Sequence, residues 1–296
     1  MNKLLMSIKR EYWEYRSVVV GLPLILALLA FVGAVGVEVV QNRVSEVGVT
    51  ALIENLADRE LTPDERRELR DELAEAKVLD TNYGSRFEPM AWFVGAAWFA
   101  GFYYLLGAFY NDRKDKSILF FKSLPVAEHY NVMIKLLFGT LGVVAISVAI
   151  GWGLSVLLTL FGLGNHEGDG LSLANSAAYF VAPLQAGIIG LFWGAPVFAY
   201  LALASAAAKR SPFLLAIIPI IVLSFLEGVI FENVEIISFF FSHMPFAVTA
   251  YMTDGSGTGA FNTFFVEQSA SMTVGLIIAG LFVAAAIWHR NNKFEI

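Results

Sequence analysis

Long apolar runs separated by polar segments dominate the sequence. A hydrocarbon layer about 30 Å thick needs about 20 apolar residues, because each helical residue rises about 1.5 Å. Six runs meet this length and predict six transmembrane helices within a single all-α membrane domain over residues 1–296: residues 18–40, 90–110, 132–161, 175–207, 212–231 and 270–288. The third and fourth exceed this length, so they must tilt, kink or extend beyond the membrane.

Residues 1–17 alternate with the period of an amphipathic helix. Leu4, Leu5, Ile8, Tyr12 and Tyr15 share one side, whereas Lys3, Ser7, Arg10, Glu11 and Glu14 lie largely on the other. This pattern predicts a helix lying in the membrane interface, and a short solvated leader is the alternative. The apolar run that follows is too long for the core of a cleavable signal peptide, so we expect it to be retained.

Prolines interrupt two of the predicted spans. Pro183 and the Gly194-Ala195-Pro196 step fall in the fourth, and Pro219 falls in the fifth. Because proline removes a backbone donor, each of these positions predicts a kink.

The distribution of lysine and arginine predicts the orientation. Positive charge gathers at the amino terminus, over 113–122 with Lys135 just beyond, at Lys209-Arg210 and at Arg290, whereas 232–269 contains none. The bases of 41–89 do not oppose this assignment, because long loops translocate largely regardless of charge. Both termini are therefore expected in the cytoplasm.

Two segments are then expected on the outer side. In 41–89, Thr62 followed by Pro63 and Glu65 is typical of a helix start. This predicts a small extracytoplasmic helical insertion, with a plain linker as the alternative. In 232–269, two apolar runs too short to cross the membrane are separated by Met244-Pro245 and a glycine-rich stretch. They predict two re-entrant helices between spans five and six.

Composition supports membrane insertion and excludes several functions. Hydrophobic residues make up 57% of the chain and charged residues only 16%, far from a soluble globule. The net charge of −6 comes mostly from 41–89, with twelve acids and seven bases, and gives no support to nucleic-acid binding. There are no cysteines, the four histidines are far apart, and no metal site is predicted.

The segment from Asp112 to Val126 is unusual for a connector between spans. Its first five residues are all charged, four apolar residues follow at 118–121, and a Leu124-Pro125 break precedes the next helix. A simple turn needs only a few polar residues, so this amphipathic segment suggests a docking role. A solvated loop that keeps lysines on the cytoplasmic side is the alternative.

The sequence of this segment resembles the first cytoplasmic loop of type-2 ABC exporter permeases. Residues 110–115 close one helix and residues 121–126 open the next, as they do in that family. The resemblance implies a coupling loop at 111–130 that docks in a groove of a partner ATPase. The implied interface residues are Asp112, Arg113, Lys114, Asp115, Lys116, Ile118, Leu119, Phe120, Phe121, Lys122, Leu124 and Pro125.

The resemblance also implies the partners. They are two copies of an ABC ATPase and a second permease chain, identical or different, in the cytoplasmic membrane of a bacterium. None of the nine lysines follows a glycine, so the chain lacks a phosphate-binding loop of the Walker type. It is therefore not expected to be an enzyme by itself, and ATP and Mg²⁺ are expected on the partner ATPase.

Candidate pathway residues complete these predictions. Two ionisable groups, Glu38 and Glu227, are expected within the membrane, each near the outer end of a span. The resemblance places these two glutamates at the outer mouth of a path between two subunits. Trp98 and Phe102, in the aromatic second span, could contact a lipid-like cargo. Ordinary packing and lipid contact is the favoured alternative for these aromatic residues. An ATP-independent secondary transporter or channel, and less so a membrane-embedded enzyme, are the alternative functions.

Overall fold

The computed structural model describes residues 3–36, 39, 89–115, 127–161, 173–246 and 266–292. Over these ranges the chain is helical throughout and contains no strand. The predicted insertion up to residue 88, the loop residues 116–126, Glu38 and the stretch 247–265 lie outside the described residues.

Within these described ranges, five helices are long and apolar enough to cross a membrane, or up to six if the two helices of one bent pair form a single span. The prediction of an all-α membrane protein is thereby confirmed. In chain order the elements are α1 (Lys3–Val19), α2 (21–36), α3 (Pro89–Lys114), α4 (Glu128–Leu137), a π-helical turn (Phe138–Gly142), α5 (Val143–Leu160), α6 (Leu173–Trp193), α7 (Ala195–Ala207), α8 (Pro212–Phe231), α9 (Glu235–Ser242) and α10 (Ser269–Asn292).

The amino-terminal helix continues into the first span. Val20 N donates to Arg16 O at 3.0 Å and Leu24 N donates to Val20 O at 3.0 Å, so Met6–Gly36 forms one candidate span. Glu11 is fully buried whereas Tyr12 is exposed. The predicted division of α1 into an apolar and a solvated face is therefore wrong at Glu11, because the rest of the protein supplies that carboxylate with partners.

Helix α3 lies at the centre of the bundle and packs against α1, α5, α6 and α7. Its buried residues form the main part of the core with residues of α5. Helix α3 approaches the backbone at Gly139 closely because Gly101 has no side chain. A Cβ at Gly101 would lie only 2.5 Å from the Gly139 carbonyl oxygen. The helix continues through Lys114, so the first residues of the predicted loop 111–130 are helical.

The third span contains an irregularity at its centre. The π-helical turn separates α4 from α5, and Phe138 and Gly139 are buried in it. Thr140 Oγ1 donates to Leu136 O at 2.6 Å within the same turn. A π turn holds one residue more than an α-helix would at that place, so it changes the phase between α4 and α5.

The predicted kink in the fourth span is confirmed. The segments Pro183–Trp193 and Ala195–Ala207 meet at 63° around Gly194. A Cβ at Gly194 would lie 2.9 Å from Gly190 O, so only glycine fits this bend without displacement of its neighbours. Beyond the bend, α7 packs against α3 and α10.

A short helix follows the fifth span, where the first of two re-entrant helices was predicted. Helix α8 begins with Ser211, whose hydroxyl accepts from Leu214 N, and ends at Glu232 in the left-handed region with φ 52°. Trp193 Nε1 donates to Ser242 O at 2.7 Å, and the His243 ring stacks on the Trp193 ring with centroids 4.7 Å apart. Helix α9 is thereby fixed to the bend at Gly194.

Candidate functional site

Four ionisable side chains are buried together where α1, α3, α4 and α10 meet. Glu11 and Lys135 are 0% exposed, Asp112 is 2% exposed and Arg290 is 4% exposed. A charge removed from water is costly unless it is paired and hydrogen-bonded. Each member of this cluster does have a partner of opposite charge within it. We call Glu11, Asp112, Lys135 and Arg290 the charge cluster.

Lys135 is the centre of the charge cluster. Its Nζ lies 3.2 Å from Glu11 Oε2 and 3.2 Å from Asp112 Oδ1, and it donates to Ala108 O at 3.0 Å. An ammonium group has three donors, and these three contacts use all of them. One side chain of α4 therefore connects α1 to the carboxyl-terminal part of α3.

Glu11 is held by further contacts on α1 and α3. Tyr104 OH donates to Glu11 Oε2 at 2.7 Å, and the neighbouring Arg10 forms an ion pair with Glu11 Oε1. The Tyr15 ring packs edge-on against Tyr104 with centroids 4.6 Å apart, and Asn111 Nδ2 donates to Tyr15 OH at 3.0 Å. These contacts fix α1 to α3 over two helical turns.

Arg290 connects the two flanks of the predicted docking loop. Its Nε donates to Glu128 Oε2 at 3.0 Å, and its NH1 lies 3.7 Å from Asp112 Oδ2. The guanidinium also lies 4.9 Å from the Phe109 ring centroid, within the range of a cation–π contact. Asp112 precedes residues 116–126 and Glu128 follows them, so the last helix holds both ends of that loop.

The charges of the cluster and its neighbours balance. Three carboxylates, Glu11, Asp112 and Glu128, lie beside three cations, Arg10, Lys135 and Arg290. Neutralising any one of them leaves an uncompensated charge in a largely desolvated place. Breaking a buried pair from one side typically costs about 3–5 kcal/mol.

Of the predicted interface residues, Asp112 faces inward, into the charge cluster. Arg113 is half-buried and donates to Ser205 O at 2.8 Å and to Ala208 O at 2.6 Å, which ties the end of α3 to the end of α7. Lys114 and Asp115 are exposed. The remaining predicted interface residues, from Lys116 to Pro125, fall outside the described residues.

The predicted pathway residues lie elsewhere. Trp98 is buried in the core with its ring 5.5 Å from that of Phe198, and Phe102 packs on Phe198 at 5.3 Å and on Phe246 at 6.2 Å. Glu227 Oε2 accepts from Ile236 N at 2.9 Å, near the start of α9. Trp98, Phe102 and Glu227 therefore each have packing or hydrogen-bond partners within the chain, and their predicted place on a pathway stays a prediction.

Sequence reasoning missed Glu11, Lys135 and Arg290 as members of one site. It singled out only Glu38 and Glu227 as ionisable groups within the membrane, and that selection was incomplete. Lys135 lies inside the predicted third span, 132–161, and this position could have marked it as a buried charge. Glu11 and Arg290 carried no comparable signal, because charges that flank a span are normally solvated.

A groove separates the first span from α3 beyond the charge cluster. It has a volume of about 340 Å³ and its lining is almost entirely apolar: Ser17, Val18, Leu22, Ile25, Phe99, Ala100 and Tyr103. Val18 and Leu22 border this groove and also pack against the core.

Comparison with known proteins gives no match. No family model matches the chain, and neither does any curated protein or solved structure. Among the residues that the structure describes, no group of three or more His, Cys, Asp or Glu side chains could hold a metal ion.

Proposed function

We propose that this chain is the transmembrane subunit of an ABC exporter. In this proposal two such chains form the substrate pathway, and two separate ATPase subunits, which bind ATP and Mg²⁺, dock on the loop after α3. The membrane is the cytoplasmic membrane of a bacterium, with both termini and this loop inside. The observation that supports the proposal most is the contact of Arg290 with both Asp112 and Glu128.

A docking loop transmits movement only when its ends are held stiffly. ATP-driven rearrangements of transporters move packed elements against one another as rigid bodies. Here the ends of the loop are bound to α10 through Arg290, to α4 through Lys135, and to α7 through Arg113. A solvated connector would need none of these contacts, so they favour a mechanical role for the loop.

The loop sequence fits a docking segment. Its apolar residues at 118–121 can fill a groove, and the charged residues around them can set orientation at the rim. Such interfaces gain most of their affinity from a few buried aromatic anchors, whereas rim charges each contribute little. Phe120 and Phe121 are the aromatic residues available for this purpose.

The proposal is tested by truncating these anchors. Phe120→Ala combined with Phe121→Ala should cost about 2 kcal/mol or more, roughly thirtyfold in affinity for the ATPase, and abolish transport-coupled ATP hydrolysis. Lys114→Ala, a change at the exposed rim, should have a much smaller effect. The measurements are co-purification with the partner ATPase and ATP hydrolysis in reconstituted membranes at matched expression. Wild-type assembly and hydrolysis in the double variant would contradict the coupling role.

A second test concerns nucleotide. Because the chain has no phosphate-binding loop, the purified subunit alone should neither bind nor hydrolyse ATP. Saturable nucleotide binding by the isolated subunit, free of contaminating ATPase, would contradict the proposal.

The charge cluster also favours a second candidate function. Buried ionisable groups within membrane helices often carry protons or ions in secondary transporters. Glu11 and Asp112, which share Lys135, could serve such a role. Transport into ATPase-free vesicles driven by a proton gradient, and lost in Glu11→Gln, would support this carrier. Transport that strictly requires the ATPase and ATP would exclude it.

A further inference from the structure

The first span is attached to the rest of the chain mainly at its amino-terminal end. Glu11, Tyr15 and Val19 are buried against the bundle. Further along, the residues of α2 that face outward are at least half exposed: Leu24, Ile25, Leu28, Leu29 and Val32. Only 11% of the most apolar stretch of this span is buried, compared with 61% for α3. The other side of α2 is partly buried, with Leu22 against the core and the Phe31 ring 6.1 Å from the Phe161 ring, so α2 packs more loosely than α3.

The groove beside α3 reinforces this asymmetry. It begins at Ser17 and Tyr103, directly beyond the contact of Tyr15 with Tyr104. From there to Ile25 and Phe99 the first span and α3 are separated by about 340 Å³ of space. The most deeply buried contacts of the first span are consequently those of α1 and of the start of α2.

The attachment of α1 and the base of the loop share a single cation. Lys135 Nζ is equally distant, at 3.2 Å, from Glu11 on α1 and from Asp112 at the end of α3. If Asp112 or Lys135 moved without α1, Glu11 would lose its main counter-ion while it stayed buried. Because such a state is costly, α1 is expected to move together with the loop base.

We propose that Glu11 and Lys135 are positioning residues that make the first span follow the movement of the loop base. The inference rests on the proposed function for the source of that movement, namely the ATPase docked on the loop. The first span then behaves as a lever that is held most tightly at the charge cluster and more loosely along α2. Its displacement opens or closes the groove against α3.

The attachment can be tested on the purified chain alone. The chain has no cysteine, so Trp13→Cys on α1 and Ala127→Cys at the loop base, both exposed positions, can carry a pair of spin labels. Pulsed electron paramagnetic resonance should give a narrow distance distribution in the parent. Glu11→Gln keeps the shape of the side chain but removes its charge, and should shift the equilibrium constant between docked and undocked α1 about a hundredfold toward the undocked state, which broadens the distribution.

Matched variants separate this effect from general damage. Lys9→Gln removes an exposed charge from the same helix, two residues before Glu11, and should leave the distribution narrow. Lys135→Met should broaden it, whereas Lys135→Arg, which keeps the charge, should remain close to the parent and show that the chain still folds. An equally narrow distribution in Glu11→Gln and Lys9→Gln would overturn the inference.

The lever itself is tested in the reconstituted complex with the ATPase. Spin labels at Val32→Cys on α2 and Tyr103→Cys on α3 should change their separation when ATP is added to the parent, and this change should be lost in Glu11→Gln. An ATP-dependent change of the same size in Glu11→Gln would overturn the inference. If the ATPase does not bind the parent at all, the proposed function is wrong, and the distances measured on the chain alone still decide whether Glu11 and Lys135 hold α1.

Discussion

Arg290 Nε lies 3.0 Å from Glu128 Oε2, although 162 residues separate them in the chain. The same guanidinium reaches Asp112, so the last helix contacts both flanks of the loop between α3 and α4. The guanidinium also lies 4.9 Å from the centroid of the Phe109 ring. Helix α10 is thereby part of the base of the loop.

Neutralising Arg290 should destabilise the chain strongly. Arg290→Gln removes the buried cation of Glu128 and one of the two cations beside Asp112, and we expect the free energy of unfolding to fall by about 3–5 kcal/mol. Arg210→Gln removes an exposed cation and should change it by less than about 1 kcal/mol. Unfolding in mixed micelles measures both values. Equal stability of the two variants would show that the Arg290 contacts contribute nothing.

The crossing of α3 with the π-helical turn predicts a steric effect. Gly101→Ala places a methyl group 2.5 Å from Gly139 O, so the two helices must move apart, at a cost of about 1–3 kcal/mol. Gly95 lies on the same helix and has no neighbour within 4 Å of a new Cβ. Gly95→Ala should therefore be neutral or slightly stabilising. Thermal unfolding of the two variants compares them directly, and a harmless Gly101→Ala would contradict the observed approach.

A similar comparison tests the contact of α9 with α10. A Cβ at Gly275 would lie 2.9 Å from His243 Nε2, whereas a Cβ at Gly280 would meet no atom within 4 Å. Gly275→Ala should push His243 off the Trp193 ring and loosen α9. Maleimide labelling at Ser238→Cys, an exposed position on α9, should then report different kinetics from the parent. Gly280→Ala serves as the control, and identical kinetics in both variants would refute the expectation.

The predicted orientation is open to a direct test. Thr62→Cys and Ser256→Cys should react with an impermeant maleimide in intact spheroplasts, because the charge pattern places both outside. Ser117→Cys, in the loop, should react only after lysis. Labelling at Ser117→Cys in intact spheroplasts would reverse the assigned topology.

The hydropathy pattern predicted the approximate positions of the long apolar helices that the structure describes. The fifth span was predicted at 212–231 and observed as Pro212–Phe231, because Ser211 caps its start and Glu232 ends it in a left-handed conformation. The bend at Gly194 was predictable from local chemistry as well. Residues 110–115 were predicted to close the second helix of the membrane domain, and α3 is observed to end at Lys114.

The charge cluster was not predictable by the same reasoning. Pattern arguments assign a charged residue near the end of a span to water, and this assignment fails when a distant helix supplies the counter-ion. Glu11, Lys135 and Arg290 come from three parts of the chain that only tertiary packing brings together. Lys135, three residues into a predicted span, was the one local signal.

The π-helical turn at Phe138–Gly142 determines which way Lys135 points relative to the rest of its span. Lys135 is buried before the turn, and Val143, Val144 and Ser147 are buried after it. One extra residue rotates the second half of the helix back by about 100° relative to the first. If a single residue were removed from the turn, the helix could keep either the ion pairs of Lys135 or the buried packing of Val143 and Val144, but not both. The register of the whole helix depends on that one inserted amino acid.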